Sequence, residues 1–118
     1  MNLQGSFWDY LDRLAAFHAV VIDRPAGSYH PRFPDRCYPL DYGYFEGTSA
    51  IDGGGIDVWL GSLANRQVTG MICTVDLNKH DAEIKVLLGC SEADVQLALD
   101  FLNSGPMRAQ FIPRPALI

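Results

Sequence analysis

The sequence predicts a small α+β domain: a helix, five or six short strands, and a second helix. Three observations carry this expectation. A segment near each end repeats apolar residues every three or four positions. Between them, short β-branched runs are separated by Gly, Pro and Asp. The chain has 118 residues, 48% hydrophobic and 19% charged, a globular composition. One domain over residues 1–118 is expected, large enough to bury about two-thirds of its unfolded surface.

In order along the chain, residues 3–18 read as an amphipathic helix, with Leu3, Phe7, Tyr10 or Leu11, Leu14, and Phe17 or His18 at helical spacing. Ser6 can cap its start, with Asp9 as capping-box partner. Residues 19–22 are a strand, ended by Asp23-Arg24-Pro25. Residues 26–39 hold Gly27, Pro31, Pro34 and Pro39, which forbids a helix and predicts an ordered loop. Residues 41–45 form a strand, 52–55 a turn and 56–60 a further strand. Residues 67–75 and 83–88 are a strand pair joined by the polar segment 76–82. Ser91 caps a helix running to about Asn103, and 107–112 is a last strand. The sum is a small barrel or twisted sheet with packed helices.

Nine Lys+Arg against 14 Asp+Glu give a net charge of −5. A nucleic-acid binder needs a basic face, so that class is excluded. The balance suits a site that collects cations. Cys37, Cys73 and Cys90 form no CxxC pair and are odd in number, which predicts reduced thiols in a cytoplasmic protein. The start lacks a basic stretch and no apolar run approaches the length of a membrane span, so neither secretion nor membrane insertion is expected. Trp8 and Trp59 read as core anchors and His30 as an exposed loop residue.

Two acidic clusters stand beside strands: Asp52 to Asp57, and Asp76 to Glu83. Carboxylates delivered from neighbouring strand ends would meet the oxygen preference of Mg²⁺. Asp and Gly are also what turns use, and on composition alone the turn reading is the stronger.

A resemblance changes that weighting. Asp23-Arg24-Pro25 after Val-Val-Ile, Tyr38-Pro39-Leu40-Asp41-Tyr42-Gly43-Tyr44, Asp52…Asp57-Val58 and Asp76…Asp81 occur in this order over residues 20–88. Together they resemble the soluble family I inorganic pyrophosphatases, as a divergent, shortened member. The resemblance implies an OB-like five-stranded β-barrel with an N-terminal and a C-terminal helix, binding Mg²⁺ (with Mn²⁺ as an alternative) and diphosphate. Asp52, Asp57 and Asp81 match the carboxylates around the tightest metal. Asp57 matches a bridging ligand, and Asp76 with Asp81 a further metal site. Tyr38 and Tyr42 match tyrosines that line the site, and Asp23 stands where the family has Glu in support of a substrate-binding cation. The implied reaction is Mg²⁺-dependent hydrolysis of diphosphate or a related phosphoanhydride.

The chain departs from the family at three places. Gly54 replaces the middle carboxylate of D-x-D-x-x-D, the family's general base. Glu83 replaces a Lys, while Lys85 falls on the same strand face two residues on. A Tyr-Lys pair has no counterpart around Leu102-Asn103-Ser104. The site is therefore about two charges more negative than the family's, which favours cations and disfavours free diphosphate. Arg24, Arg32 and Arg36 can compensate, and Arg32, between Pro31 and Phe33-Pro34, is the favoured phosphate clamp.

The expected set is thus Asp57, Tyr42 and Glu83 for catalysis. Arg32, Tyr38, Lys85 and Asp23 would bind substrate, and Asp52, Asp57, Asp76 and Asp81 metal. The partner is a small phosphate-containing substrate, and homo-oligomerisation stays open. One rival is a catalytically impaired binding or interaction module that keeps the barrel. Another is a phosphatase for an organic phosphate ester or nucleotide.

Overall fold

The computed structural model describes residues 5–116. Helix α1 spans Phe7–Phe17 and starts as its cap dictates. The Ser6 hydroxyl accepts from the Asp9 N–H, and the Asp9 carboxylate accepts from the Ser6 N–H at 2.9 Å. Leu3, expected to begin this helix, lies outside the described residues. Helix α2, Glu92–Leu102, has the same box from Ser91 and Asp94. Asp94 Oδ2 also accepts from the Ser62 N–H and hydroxyl, both at 2.8 Å, which ties α2 to the loop beneath it.

Six strands follow one another as β1 (Val20–Arg24), β2 (Asp41–Phe45), β3 (Asp57–Leu60), β4 (Val68–Asp76), β5 (Asp81–Leu88) and β6 (Met107–Pro113). They form one sheet in the order β1-β2-β3-β5-β4-β6, antiparallel except for the parallel pair β3 and β5. The α+β class with a helix towards each end stands, but a closed five-stranded barrel does not. Residues 107–113 pair with residues 70–76 of β4 and add a sixth strand, and the sheet is open with β1 and β6 at its edges.

Both faces of the sheet are covered, because successive residues of a strand point to opposite sides. Trp59, Ile72 and Leu87 pack with Val95, Ala98 and Leu102 of α2. Phe45, Val58, Val86 and Leu88 pack with Leu11 of α1, and half-buried Trp8 joins them. Cys90 is buried among these elements, and burial pushes its thiol up to about 12, so it serves as an apolar filler. No helix among the described residues is long and apolar enough to cross a membrane.

Two local features aim side chains at the site. The β1–β2 register shifts between Ile22 and Arg24, so Asp23 is bulged out and Arg24 opposes Tyr42. Gly43 is required there, since a Cβ would lie 1.8 Å from the Val21 carbonyl oxygen. The β4–β5 connection is tighter than residues 76–82. Asp76 and Asp81 are themselves paired, and His80 has φ 57° in the turn between them.

Candidate functional site

Sheet register builds the site. Arg24, Tyr42, Trp59 and Leu87 form one row across β1, β2, β3 and β5, and Tyr44, Asp57, Lys85 and Ile72 form the next. Glu83 lies two residues before Lys85 and shares its face. A cavity of about 260 Å³ opens over these rows. Asp23, Asp52, Asp57, Asp81 and Glu83 line it, as do the cations Arg24, Arg36 and Lys79.

The buried floor is a single charge network. Lys85 Nζ donates to Tyr42 Oη at 2.8 Å, Asp57 Oδ2 at 2.9 Å and Glu83 Oε2 at 3.2 Å, with only 6% of the side chain exposed. Burial alone would pull the Lys85 ammonium down, but its neighbours outweigh that and hold it above its ordinary value. Burial also pushes Tyr42 up, so it stays a neutral phenol, and the carboxylates beside the Lys85 ammonium are Asp57 and Glu83. Burial raises the Glu83 carboxyl against the pull of Lys85, with Asp57 and Asp81 adding to the rise.

The cations are held from behind by aromatic rings. Arg24 Nη1 donates to Tyr38 Oη at 2.7 Å, and its guanidinium lies 5.6 Å from that ring's centroid. Arg36 sits 4.2 Å over the Phe101 ring and donates to the Phe101 carbonyl oxygen. Burial lowers the His30 imidazole, and Arg24, Arg36, Lys79 and Arg32 lower it further, so it stays neutral at pH 7. Fully buried Trp59 also lines the cavity, and its Nε1 has no acceptor among the described residues.

No family model matches the chain, and no curated protein matches it either. Solved structures do. An inorganic pyrophosphatase from Coxiella burnetii aligns at 17% identity over 80% of this chain and 82% of that one, with a TM-score of 0.53. An inorganic phosphatase from Anaplasma phagocytophilum aligns at 17% identity over 80% and 81%, with a TM-score of 0.54. The chain has a pyrophosphatase-like fold.

Within this pyrophosphatase-like fold, Tyr38, Tyr42, Asp23, Asp52, Asp57, Asp81, Glu83 and Lys85 all border one cavity. Asp52 is exposed in its turn, where Oδ1 accepts from the Gly54 N–H at 3.0 Å. Asp76 and Arg32 stand elsewhere, in an adjoining cleft. Asp76 holds its own turn through one oxygen: Oδ1 accepts from the Lys79 N–H at 3.1 Å and the Asn78 N–H at 2.8 Å, bonds that hold its carboxyl below the usual range. Arg32 is exposed, and Arg24 and Arg36 reach the cavity instead. The sequence signal for Arg24 was its place at the end of the first motif strand, opposite the tyrosine motif.

Among the described residues no three His, Cys, Asp or Glu side chains gather into a group that could hold an ion. Lys85 takes up Asp57 Oδ2, an oxygen of the expected metal set, and Glu83 Oε2. Asp81, whose side chain makes no hydrogen bond or ion pair among the described residues, lines the cavity together with the 28% exposed side chain of Asp57 and with Asp23 and Asp52. This donor set fits an Mg²⁺ that keeps several waters and is held by one or two carboxylates plus phosphate oxygens.

Proposed function

We propose that the cavity binds diphosphate together with Mg²⁺, or Mn²⁺ in its place, and hydrolyses it or a related phosphoanhydride to phosphate. The observation that carries this reading is the pairing of chemistries in one cavity: the Asp81 carboxylate and the partly exposed Asp57 carboxylate beside Arg24, Arg36 and Lys79. A metal–diphosphate complex needs carboxylates for the cation and fixed cations for the phosphates. The pyrophosphatase-like fold supports the same reading.

Each residue then has a physical task. Arg24 and Arg36, pre-set by Tyr38 and Phe101, and Lys79 at the turn neutralise the anion. Asp81 and Asp57 would hold the metal, which when bound lowers the pKa of water and offsets phosphate charge. Lys85 keeps Asp57 oriented. Tyr42 remains a phenol whose O–H can serve Asp57 or a ligand oxygen. Glu83, with its raised carboxyl, is the group suited to hold and pass a proton. Gly54 supplies no carboxylate where the family's base stands, so turnover is slow. Three cysteines without disulfide partners fit a reducing, cytoplasmic setting.

A second reading, a metal- or anion-binding module without catalysis, is favoured by one observation: the Lys85 ammonium lies between Asp57 and Glu83. Phosphate release from diphosphate, with and without Mg²⁺ and at both catalytic and stoichiometric protein, separates the two. Release above the metal-only blank that is lost in Asp57→Asn supports the enzyme. Diphosphate binding with no release at stoichiometric protein supports the module.

A further inference from the structure

The catalytic cavity opens into a second space that inorganic diphosphate does not need. This cleft has a volume of about 680 Å³, within the range of small-molecule pockets, roughly 300–1,000 Å³. It shares Arg24, Arg36, His30 and Lys79 with the cavity, so the two meet at the phosphate-binding cations. Met107 is shared as well, and beyond these residues the wall changes character: Phe33 lines it, with Pro31 and Pro106. Phe33 is 52% exposed, and its ring stands 5.0 Å from that of His30 at 44°. A half-exposed aromatic ring next to a neutral imidazole, a few residues from a guanidinium pair, is a surface for a planar organic group attached to an anion.

We propose that the site takes diphosphate esters of an aromatic or heteroaromatic carrier, the chemical class of nucleoside diphosphates. The diphosphate would lie among Arg24, Arg36 and the carboxylates, and the planar group on Phe33. This rests on the diphosphate reading above and narrows it. Two rival ligands fit less well. A longer inorganic polyphosphate is charged along its length and gains nothing from Phe33 and Met107. A nucleic acid is opposed by the net charge of −5.

The test is titration calorimetry of the whole chain with three probes, each with Mg²⁺: diphosphate, tripolyphosphate and ADP. Wild-type protein and Phe33→Ala are compared. ADP is expected to bind more tightly than either inorganic probe. Phe33→Ala should shrink the ADP-to-diphosphate affinity ratio about tenfold, because stacking a base on an aromatic ring is worth on the order of that factor. ADP binding no tighter than diphosphate, or an unchanged ratio in Phe33→Ala, overturns this inference and leaves the diphosphate reading standing. Tripolyphosphate binding more tightly than ADP overturns it in favour of an inorganic chain. No heat with any of the three overturns both.

Discussion

Lys85 and Asp57 are register partners on adjacent parallel strands, and the Lys85 ammonium lies 2.9 Å from Asp57 Oδ2. The pair is buried on the lysine side and open to the cavity on the aspartate side, with 6% and 28% of the two side chains exposed. A buried charge of this kind costs desolvation and is kept only where its partners are well placed. Here the partners are the residues that the sequence marks for catalysis, Asp57, Glu83 and Tyr42. The network both stabilises the centre of the sheet and sets the charge of the cavity floor.

Removing the cation should therefore destabilise the fold. Lys85→Met leaves two neighbouring carboxylates without a counter-charge and is expected to cost about 2 kcal/mol, less than a fully dry pair because both carboxylates touch solvent. Urea unfolding at pH 7 measures it. A loss below about 0.5 kcal/mol would mean the network is not a stability element.

Glu83 gives the opposite sign. Its carboxyl is raised in the folded protein, chiefly by burial, so it contributes stability present below the unfolded carboxylate pKa and lost as pH rises through the folded value. Glu83→Gln, which mimics the protonated form, should be more stable than wild type at pH 7 and should lose that margin below about pH 4. Unfolding curves at the two pH values decide it; a margin that does not change with pH contradicts the assignment.

The phosphate-binding side can be tested by exchanging arginines. Arg24→Gln should weaken diphosphate binding roughly tenfold or more, the worth of a charged hydrogen bond. Arg32→Gln, outside the cavity, should change it less than about twofold. The reverse ranking would restore Arg32 as the clamp.

His30 should report occupancy. Burial and four surrounding cations hold its imidazole below the ordinary value, and an anion that neutralises those cations must raise it. A proton-NMR pH titration of the ring signals, with and without diphosphate and Mg²⁺, should show an upward shift. An unmoved titration would place the anion elsewhere.

Restoring the absent carboxylate asks whether catalysis lacks only its base. Gly53, not Gly54, holds the left-handed backbone at φ 87°, and a Cβ on Gly54 would lie 3.4 Å from Asp52 Oδ1, an ordinary contact. Gly54→Asp should thus fold, and diphosphate hydrolysis should rise by up to about 10²–10⁴-fold. A well-folded variant with no gain would favour the binding module.

Much of this architecture was legible in the sequence because local rules decided it. Ser6 with Asp9 and Ser91 with Asp94 cap the two helices, and the proline loop and the strands of residues 41–45 and 67–88 fall near their expected places. What was not legible depends on long-range pairing. The parallel match of Asp57 with Lys85 makes this cavity-lining carboxylate half of an ion pair as well. The Asp23 bulge turns Arg24 toward Tyr42 and the cavity. The place of Asp76 at a turn lets its Oδ1 accept from the Asn78 and Lys79 N–H groups, a local role that the acidic cluster in the sequence did not display. Spacing identifies which acids share a strand face; it does not say which of them are already occupied.

The central claim is that one cavity joins a divalent cation and a diphosphate. Calorimetric titration of diphosphate into the wild-type protein, with and without Mg²⁺, tests it most directly. One diphosphate is expected to bind per chain, with affinity that rises when Mg²⁺ is present and falls in Asp81→Asn only when Mg²⁺ is present. Binding that ignores Mg²⁺, or no binding in either condition, would contradict it.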